Sequence, residues 1–211
     1  MIQPLKGKRV ALLLETEYIH DELLYYRQQV EMLGGELDLL TYLWGQPSKT
    51  FVNDCDSWDK PITSMHAVTV DRCVTQVKAD DYDIVLCAAN YVAVRLREIP
   101  PMGSLGSPGE VNTAPAVKFF ADAMANPRIV KGALCHALWI LTPNPHLLKD
   151  RNVICHTVVL ADVINAGANF VPAENHVVVD GDLVTGRSFA DVETYWQAIV
   201  DTATKIGGSA T

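Results

Sequence analysis

The chain has 211 residues, 49% of them hydrophobic and 20% charged, which predicts one soluble globular domain over residues 1–211. The net charge of −8 and the pI near 5.1 argue against nucleic acid or an anionic membrane as a partner. No apolar run is long enough for a membrane span and no signal-peptide core is present, so we expect a cytoplasmic protein. Five cysteines without paired spacing fit reduced thiols, and the lack of CxxC and HExxH motifs predicts no metal site.

Strand-like and helix-like segments alternate along the chain, which is typical of a parallel sheet covered by helices on both faces. The predicted elements, in chain order, are strand 9–14, helix 21–33, strands 36–42 and 82–88, helix 114–125, a strand ending at Cys135, strand 153–156, helix 160–165, hairpin 176–185 and helix 189–206. They predict a flavodoxin-like, doubly wound α/β fold with ligands at the carboxyl ends of the strands. The tail at residues 207–211 is expected to be frayed.

Two segments are longer than such a fold requires. Residues 44–63 hold three aromatic side chains, and residues 100–114 are rich in proline and glycine. Long connections in compact domains serve as lids, binding loops or interface elements. The alternative is that both segments are surface excursions that pack down on the domain.

Residues 131–141 carry the strongest local signal of chemistry. An apolar strand ends on Cys135, and a helix-like run begins at once. Such a turn resembles the nucleophile elbow of hydrolases, which exposes a side chain at the carboxyl edge of a sheet. A helix N-terminus beside a thiol favours the thiolate, so we expect a lowered pKa for Cys135. The alternative is that Cys135 is a small, buried hydrophobic side chain.

Four short motifs follow one another at separations that match one protein family. They are Asp21-Glu22-Leu23-Leu24-Tyr25, Ala133-Leu134-Cys135-His136, residues 162–168, and residues 177–181 with 186–188. The chain thereby resembles the ThiJ/PfpI superfamily of deglycases, glyoxalase III proteins and PfpI-type peptidases, over residues 7–205 apart from the two long segments. The resemblance implies no cofactor and a homodimer or higher homo-oligomer, with residues 44–58 as a candidate interface.

The resemblance also implies roles for individual residues. Cys135 matches the family nucleophile, Glu22 the carboxyl group beside it, and His156 the histidine of the deglycase and glyoxalase branch. His136 matches the histidine that directly follows the cysteine in PfpI-type peptidases. A carboxyl group beside a thiolate should have a raised pKa, and it would then shuttle a proton at the substrate.

An oxyanion needs backbone N–H donors, which we expect from Ala89 and Asn90 after one strand and from His136 at the elbow. Two departures from the family affect this region. Residues 88–89 are Ala-Ala where relatives have Gly-Gly, and alanine tolerates a positive φ poorly. Residues 137–138 are Ala-Leu in place of Gly-Pro, which changes the pocket wall.

Each assignment has an alternative. Glu22 would otherwise be an ordinary carboxylate at a helix start, with Glu17 and then Glu15 as competitors for its role. His156 would be a core histidine, and His136 would point away from the thiol. Cys87 follows another strand and would lie near the site or, as we expect, serve packing, whereas Cys55, Cys73 and Cys155 are expected to be packed or exposed without a further role. Arg95 and Arg97 are substrate ligands in one interpretation and solvated or salt-bridged arginines in the other.

The leading functional hypothesis is a cysteine enzyme that acts on a small reactive carbonyl compound. The alternatives are a cysteine hydrolase or hydratase, which His136 favours, and a redox-sensing or chaperone-like stress protein. Ala93 stands where PfpI-type peptidases supply a glutamate to the neighbouring subunit, so peptidase activity is not expected. The partner in every enzymatic hypothesis is a small molecule.

Overall fold

The structure, a computed structural model, describes residues 3–55 and 64–208. The strands are β1 (Arg9–Leu13), β2 (Glu36–Leu40), β3 (Lys49–Val52), β4 (Ala67–Val70), β5 (Ile84–Cys87), β6 (Val130–Leu134), β7 (Asn152–Val153), β8 (Asn169–Phe170), β9 (Val177–Asp180) and β10 (Leu183–Gly186). The helices are α1 (His20–Met32), α2 (Val92–Leu96), α3 (Pro115–Ala125), α4 (Thr157–Asn165) and α5 (Val192–Gly208).

Six strands form the central sheet in the order β2-β1-β5-β6-β10-β9. All neighbouring pairs are parallel except β9 with β10, which form the antiparallel hairpin around the predicted Asp-Gly turn. β5 and β6 are buried along their whole length, as expected for central parallel strands. The prediction of a mostly parallel, flavodoxin-like α/β fold is therefore confirmed.

Helix α5 packs directly on the sheet at Gly132 of β6. A Cβ atom added at this glycine would lie 2.2 Å from Tyr195 Oη, 2.5 Å from Leu86 Cδ2 and 2.8 Å from Ile199 Cδ1. These separations are far below van der Waals contact, so only glycine allows the helix to approach the strand so closely. The elbow cysteine lies three residues further along this strand.

Several local predictions were wrong in their details. Residues 44–63 are not one loop, because β3 lies within them and pairs antiparallel with β4. The predicted strand at residues 153–156 is reduced to β7, which pairs with β8 outside the central sheet. Helix α5 continues through Gly208, two residues into the predicted tail, and the fraying of that tail stays a prediction. Residues 56–63, with Trp58, and 209–211 lie outside the described residues.

In the part of the chain that the structure describes, no helix combines the length and the apolar character needed to cross a bilayer.

Candidate active site

Cys135 directly follows β6 and has a φ of 61°, in the left-handed region that non-glycine residues rarely adopt. Its N–H donates to the carbonyl of Gly186 at 2.9 Å, and its carbonyl accepts from the N–H of His156 at 3.2 Å. These bonds hold the strained turn between the end of β10 and the start of α4. The predicted elbow is present, and it places Cys135 at the carboxyl edge of the sheet.

The turn after β5 lies beside the elbow, because Cys87 and Ala133 are paired in register. Its left-handed residue is Asn90, with φ 62°, and not Ala88 or Ala89. Asparagine tolerates this conformation better than alanine does. The expected effect of the Ala-Ala replacement is thus avoided, since the positive φ falls on the next residue.

The Asn90 side chain fixes this turn. Its Nδ2 donates to the carbonyl of Glu17 and to Oδ2 of Asp54, both at 2.8 Å. Asp54 follows β3, so the hairpin of β3 and β4 is tied directly to the turn after β5. Part of the segment 44–63 therefore acts as a support for the site.

Glu22 lies in the first turn of α1 and is only 1% exposed. Its Oε2 accepts from the N–H of Ala89 at 3.0 Å, and its Oε1 accepts from the hydroxyl of Tyr26 at 3.0 Å. Burial raises the pKa of Glu22 to about 7, and the two hydrogen bonds act in the opposite direction. Glu22 is therefore a buried carboxyl group that titrates near neutrality.

The competing carboxylates are engaged elsewhere. Glu17 forms an ion pair with Arg95, with 3.0 Å between Oε1 and Nη2, and Glu15 pairs with Lys49 at 3.3 Å. Neither appears among the groups that act on the pKa of Cys135, whereas Glu22 does. The geometry thus brings Glu22, and not its two competitors, into the site.

The expected lowering of the Cys135 pKa is wrong. Burial raises the pKa of this thiol to about 12, and the nearby Glu22 raises it further, while the backbone N–H groups of Asn90 and His136 lower it. The predicted helix after the elbow is only a four-residue 3₁₀ turn, Ala137–Ile140, which lacks the dipole of a longer helix. Cys135 is therefore a thiol at neutral pH, and it needs a base to become a nucleophile.

One of the three backbone N–H groups predicted to bind an oxyanion has another partner. The Ala89 N–H is directed at Glu22 and is not available to an oxyanion. The N–H groups of Asn90 and His136 lie beside the sulfur, where they would also face a substrate oxygen attached to it. Asn90 and His136 remain the candidate oxyanion donors.

His136 and His156 contact each other, with 3.2 Å between Nε2 of His136 and Nδ1 of His156. His156 is the N-cap of α4, and its Nδ1 also accepts from the N–H of Val158 at 3.3 Å. Because that nitrogen is an acceptor, His136 Nε2 is the donor. Burial and the neighbouring His156 lower the pKa of His136 to about 4, so it is neutral at pH 7.

Two aromatic residues that the sequence analysis did not place in the site flank this pair, although Trp139 was expected in the core. Tyr91 and Trp139 lie 5.4 Å and 5.3 Å from the His136 ring, and Trp139 donates from Nε1 to Asp162 at 2.8 Å. Tyr91 is exposed and Trp139 half-buried, so they form one rim of the site. Their positions a few residues after the ends of β5 and β6 were the available sequence signal.

The remaining sequence candidates lie around this site or away from it. Cys87 and Cys155 are buried, and burial raises the pKa of both thiols. Cys155 also acts on the pKa of Cys135, so it lies nearer the site than a packing role implied. Arg97 is half-buried, and burial lowers its pKa. Within residues 3–55 and 64–208, no three histidine, cysteine or acidic side chains converge to hold a metal ion.

The model of the DJ-1/PfpI family matches residues 101–202. The Bacillus subtilis protein YraA, named as a candidate cysteine protease, is 30% identical over 138 residues, which cover 64% of this chain and 71% of YraA. A two-domain Anabaena variabilis protein with DJ-1/ThiJ/PfpI-like and ferritin-like domains superposes with a TM-score of 0.70 at 22% identity, over 92% of this chain and 47% of that one. This chain thus spans about half the length of the two-domain protein.

Drosophila melanogaster DJ-1beta has the same fold, with a TM-score of 0.68 at 14% identity over 96% of this chain and 97% of that one. The family model covers the elbow, the histidine at the start of α4 and the closing hairpin, whereas Glu22 on α1 and Asn90 after β5 precede the matched residues. The chain belongs to the DJ-1/PfpI family.

Proposed function

We propose that this protein is a cofactor-independent cysteine enzyme that converts small reactive carbonyl compounds, with 2-oxoaldehydes as the substrate class. The observation that carries the proposal is the buried Glu22 carboxyl group beside the buried Cys135 thiol. Because each negative charge raises the other group's pKa, the pair holds at least one proton at neutral pH. Above pH 7 that proton is on sulfur and the carboxylate is the available base.

The first step is addition of the thiol to the aldehyde. As the bond between Sγ of Cys135 and the carbonyl carbon forms, the thiol proton passes to Glu22 and the carbonyl electron pair moves to oxygen. The backbone N–H groups of Asn90 and His136 stabilise the resulting oxyanion. Return of the proton from Glu22 to this oxygen gives a neutral hemithioacetal and regenerates the carboxylate.

The second stage moves a proton between two carbons. Glu22 removes the proton from the hemithioacetal carbon, and the electron pair of that bond forms an enediolate whose negative charge lies on the oxygen of the adjacent carbonyl. Glu22 then protonates the neighbouring carbon, and the hydroxyl proton on the sulfur-bearing carbon passes to the charged oxygen, which gives a 2-hydroxyacyl thioester on Cys135. Water then cleaves the thioester, which releases a 2-hydroxy acid and restores the thiol.

The pair of His136 and His156 serves proton transfer at the substrate oxygen. His136 donates from Nε2 to His156, so its Nδ1 is an acceptor, and this buried atom has no hydrogen-bond partner among the described residues. A hydroxyl group on the hemithioacetal would supply the missing donor. This gives His136 and His156 a role in carbonyl chemistry without a direct bond to the thiol.

A cysteine hydrolase or hydratase is the second candidate, favoured by His136 directly after Cys135 and by the name of the relative YraA. Hydrolases of that kind activate the thiol through a histidine bonded to it. Here the His136 Nε2 is bound to His156, and the ionisable side chain that most affects the thiol is Glu22. The arrangement of bases therefore favours addition to a carbonyl with Glu22 as base.

The test is conversion of methylglyoxal to lactate by the intact protein and by Cys135→Ala, Glu22→Gln and Cys87→Ser variants. Turnover should vanish in Cys135→Ala, fall by about 10² or more in Glu22→Gln, and persist in Cys87→Ser. Lactate formation that survives in Cys135→Ala would refute the proposal. A thioester trapped from an amide or ester substrate, without lactate formation, would support the hydrolase instead.

A non-enzymatic role predicts a different result for the same variants and substrates. No turnover on either substrate class, together with selective oxidation of Cys135 by peroxide in mass analysis, would support a redox-sensing protein.

The oligomeric state stays a prediction, because the structure contains one chain. A dimer or larger homo-oligomer in gel filtration is the expected result.

A further inference from the structure

The side chain of Tyr26 is bound directly to the candidate base, Glu22. It follows Glu22 by four positions, so the two side chains lie on the same face of α1. Its hydroxyl donates to Glu22 Oε1 at 3.0 Å, and both residues are almost completely buried. A hydrogen bond from a neutral donor to a carboxylate in a low-dielectric site is stronger than the same bond in water.

The phenol is held in place by its surroundings. Its ring lies 5.6 Å from that of Trp196 on α5 and 6.2 Å from that of Tyr25. The second carboxyl oxygen of Glu22 is bound by the Ala89 N–H at 3.0 Å. The same N–H also reaches Oε1 at 3.3 Å, so Ala89 contacts both oxygens and Tyr26 contacts one, which fixes the plane of the carboxyl group relative to the turn after β5.

We propose that Tyr26 is a positioning residue for Glu22, whose hydroxyl holds the carboxyl group in place and favours the ionised form that accepts the thiol proton. The role of Tyr26 in catalysis rests on the proposed function, whereas its effect on the ionisation of Glu22 does not. The titratable groups that act together with Glu22 come from three other elements and from α1 itself; they are Tyr26, Cys87, Cys135 and Tyr195. None of these carries a positive charge, so the hydrogen bonds are the interactions that favour the carboxylate.

Tyr195 offers a matched control. It is also a fully buried tyrosine whose pKa is raised by Glu22, after the larger effect of burial. Its hydroxyl, however, has no hydrogen-bond partner among residues 3–55 and 64–208. Tyr26→Phe and Tyr195→Phe therefore make the same chemical change, the removal of one buried hydroxyl. Only Tyr26→Phe also removes a hydrogen bond to the Glu22 carboxyl group.

The experiment is alkylation of Cys135 by iodoacetamide between pH 5 and pH 9, followed on the Cys135 peptide by mass analysis. The intact protein should show an inflection near pH 7, where Glu22 becomes ionised. Tyr26→Phe should move this inflection upward by about one pH unit and slow alkylation about five-fold at pH 7, with recovery at pH 9. Tyr195→Phe and the half-buried Tyr25→Phe should leave it in place.

An inflection that stays put in a folded Tyr26→Phe variant would overturn the proposal. If Tyr26→Phe does not fold, 3-fluorotyrosine introduced into the Tyr195→Phe protein is the second test. Its more acidic phenol is a stronger donor, so the inflection should move downward, and no movement would again overturn the proposal. Because alkylation needs no substrate, a shifted inflection without methylglyoxal turnover would uphold Tyr26 and reject the proposed reaction.

Discussion

His136 and His156 are hydrogen-bonded to each other at 3.2 Å although 20 residues separate them in the chain. One follows the nucleophile directly and the other caps α4, and the backbone bond from the His156 N–H to the Cys135 carbonyl holds them together. Each had been assigned through a different branch of the family. In this protein they form one unit, in which His156 determines the tautomer and lowers the pKa of His136.

The variant His156→Asn separates the chemical role of His156 from its structural role. Asparagine is a favourable N-cap, so we expect the free energy of unfolding to change by less than about 1 kcal/mol. Turnover should fall by about ten-fold or more, and the pKa of His136 should rise from about 4 once the neighbouring imidazole is gone. Steady-state kinetics and NMR titration of His136 check this. An unchanged rate with an unchanged melting temperature would remove His156 from the mechanism.

Glu22 should make the protein less stable as the pH rises. Its pKa is raised in the folded state from an ordinary value of 4.5 to about 7, so the folded state binds the proton more tightly. Its contribution is therefore fully present below pH 4.5 and is lost as the pH rises through 7. Between pH 5 and pH 8 the loss is roughly 2 kcal/mol. Urea unfolding of the intact protein and Glu22→Gln should show that the variant gains relative stability over this range. A constant difference between the two would contradict the raised pKa.

Asn90 should be replaceable by glycine far better than by valine. Both variants lose the bonds to Glu17 and Asp54, but glycine keeps easy access to a φ of 62°. Valine would add about 1–2 kcal/mol of backbone strain. Thermal unfolding should rank Asn90→Gly above Asn90→Val, and turnover should follow the same order because the Asn90 N–H faces the thiol. Equal stability of the two variants would show that this turn is not left-handed.

Gly132→Ala should be strongly destabilising although it adds a single methyl group. The new Cβ would lie within 3.0 Å of Tyr195, Leu86 and Ile199, all fully buried. Overpacking of this kind costs about 1–3 kcal/mol, and the contact with a central strand points to the upper end. Gly109→Ala is the control, since no atom of the described residues, apart from its two chain neighbours, lies within 4 Å of its Cβ position. A similar loss of stability in both variants would argue against close packing between α5 and β6.

Much of the fold can be predicted from the amino-acid sequence alone. The apolar runs before Leu14 and Cys87 are uninterrupted, and the run before Cys135 contains one charged residue, Lys131, because central parallel strands are buried on both faces. Gly34 and Gly35 end α1, and the Asp-Gly pair closes the final hairpin. These signals are local, since each depends on a few neighbouring residues and on the hydrophobic periodicity of a single strand or helix.

The state of the candidate site depends on contacts that are distant in sequence. The chain order and the family motifs were enough to single out Cys135, Glu22 and His156. They did not reveal that the Ala89 N–H binds Glu22, or that the left-handed residue is Asn90. They also predicted the wrong direction for the Cys135 pKa.

The physical reason is that ionisation and hydrogen bonding depend on the full three-dimensional surroundings of a group. Sequence spacing predicts which residues a strand end delivers, but burial of Cys135 and Glu22 comes from helices and loops packed over them. Tyr26 shows both what the sequence predicts and what only the folded structure determines. Its four-residue separation from Glu22 is visible in the sequence, whereas its burial against Trp196, which makes the bond strong, exists only in the folded protein.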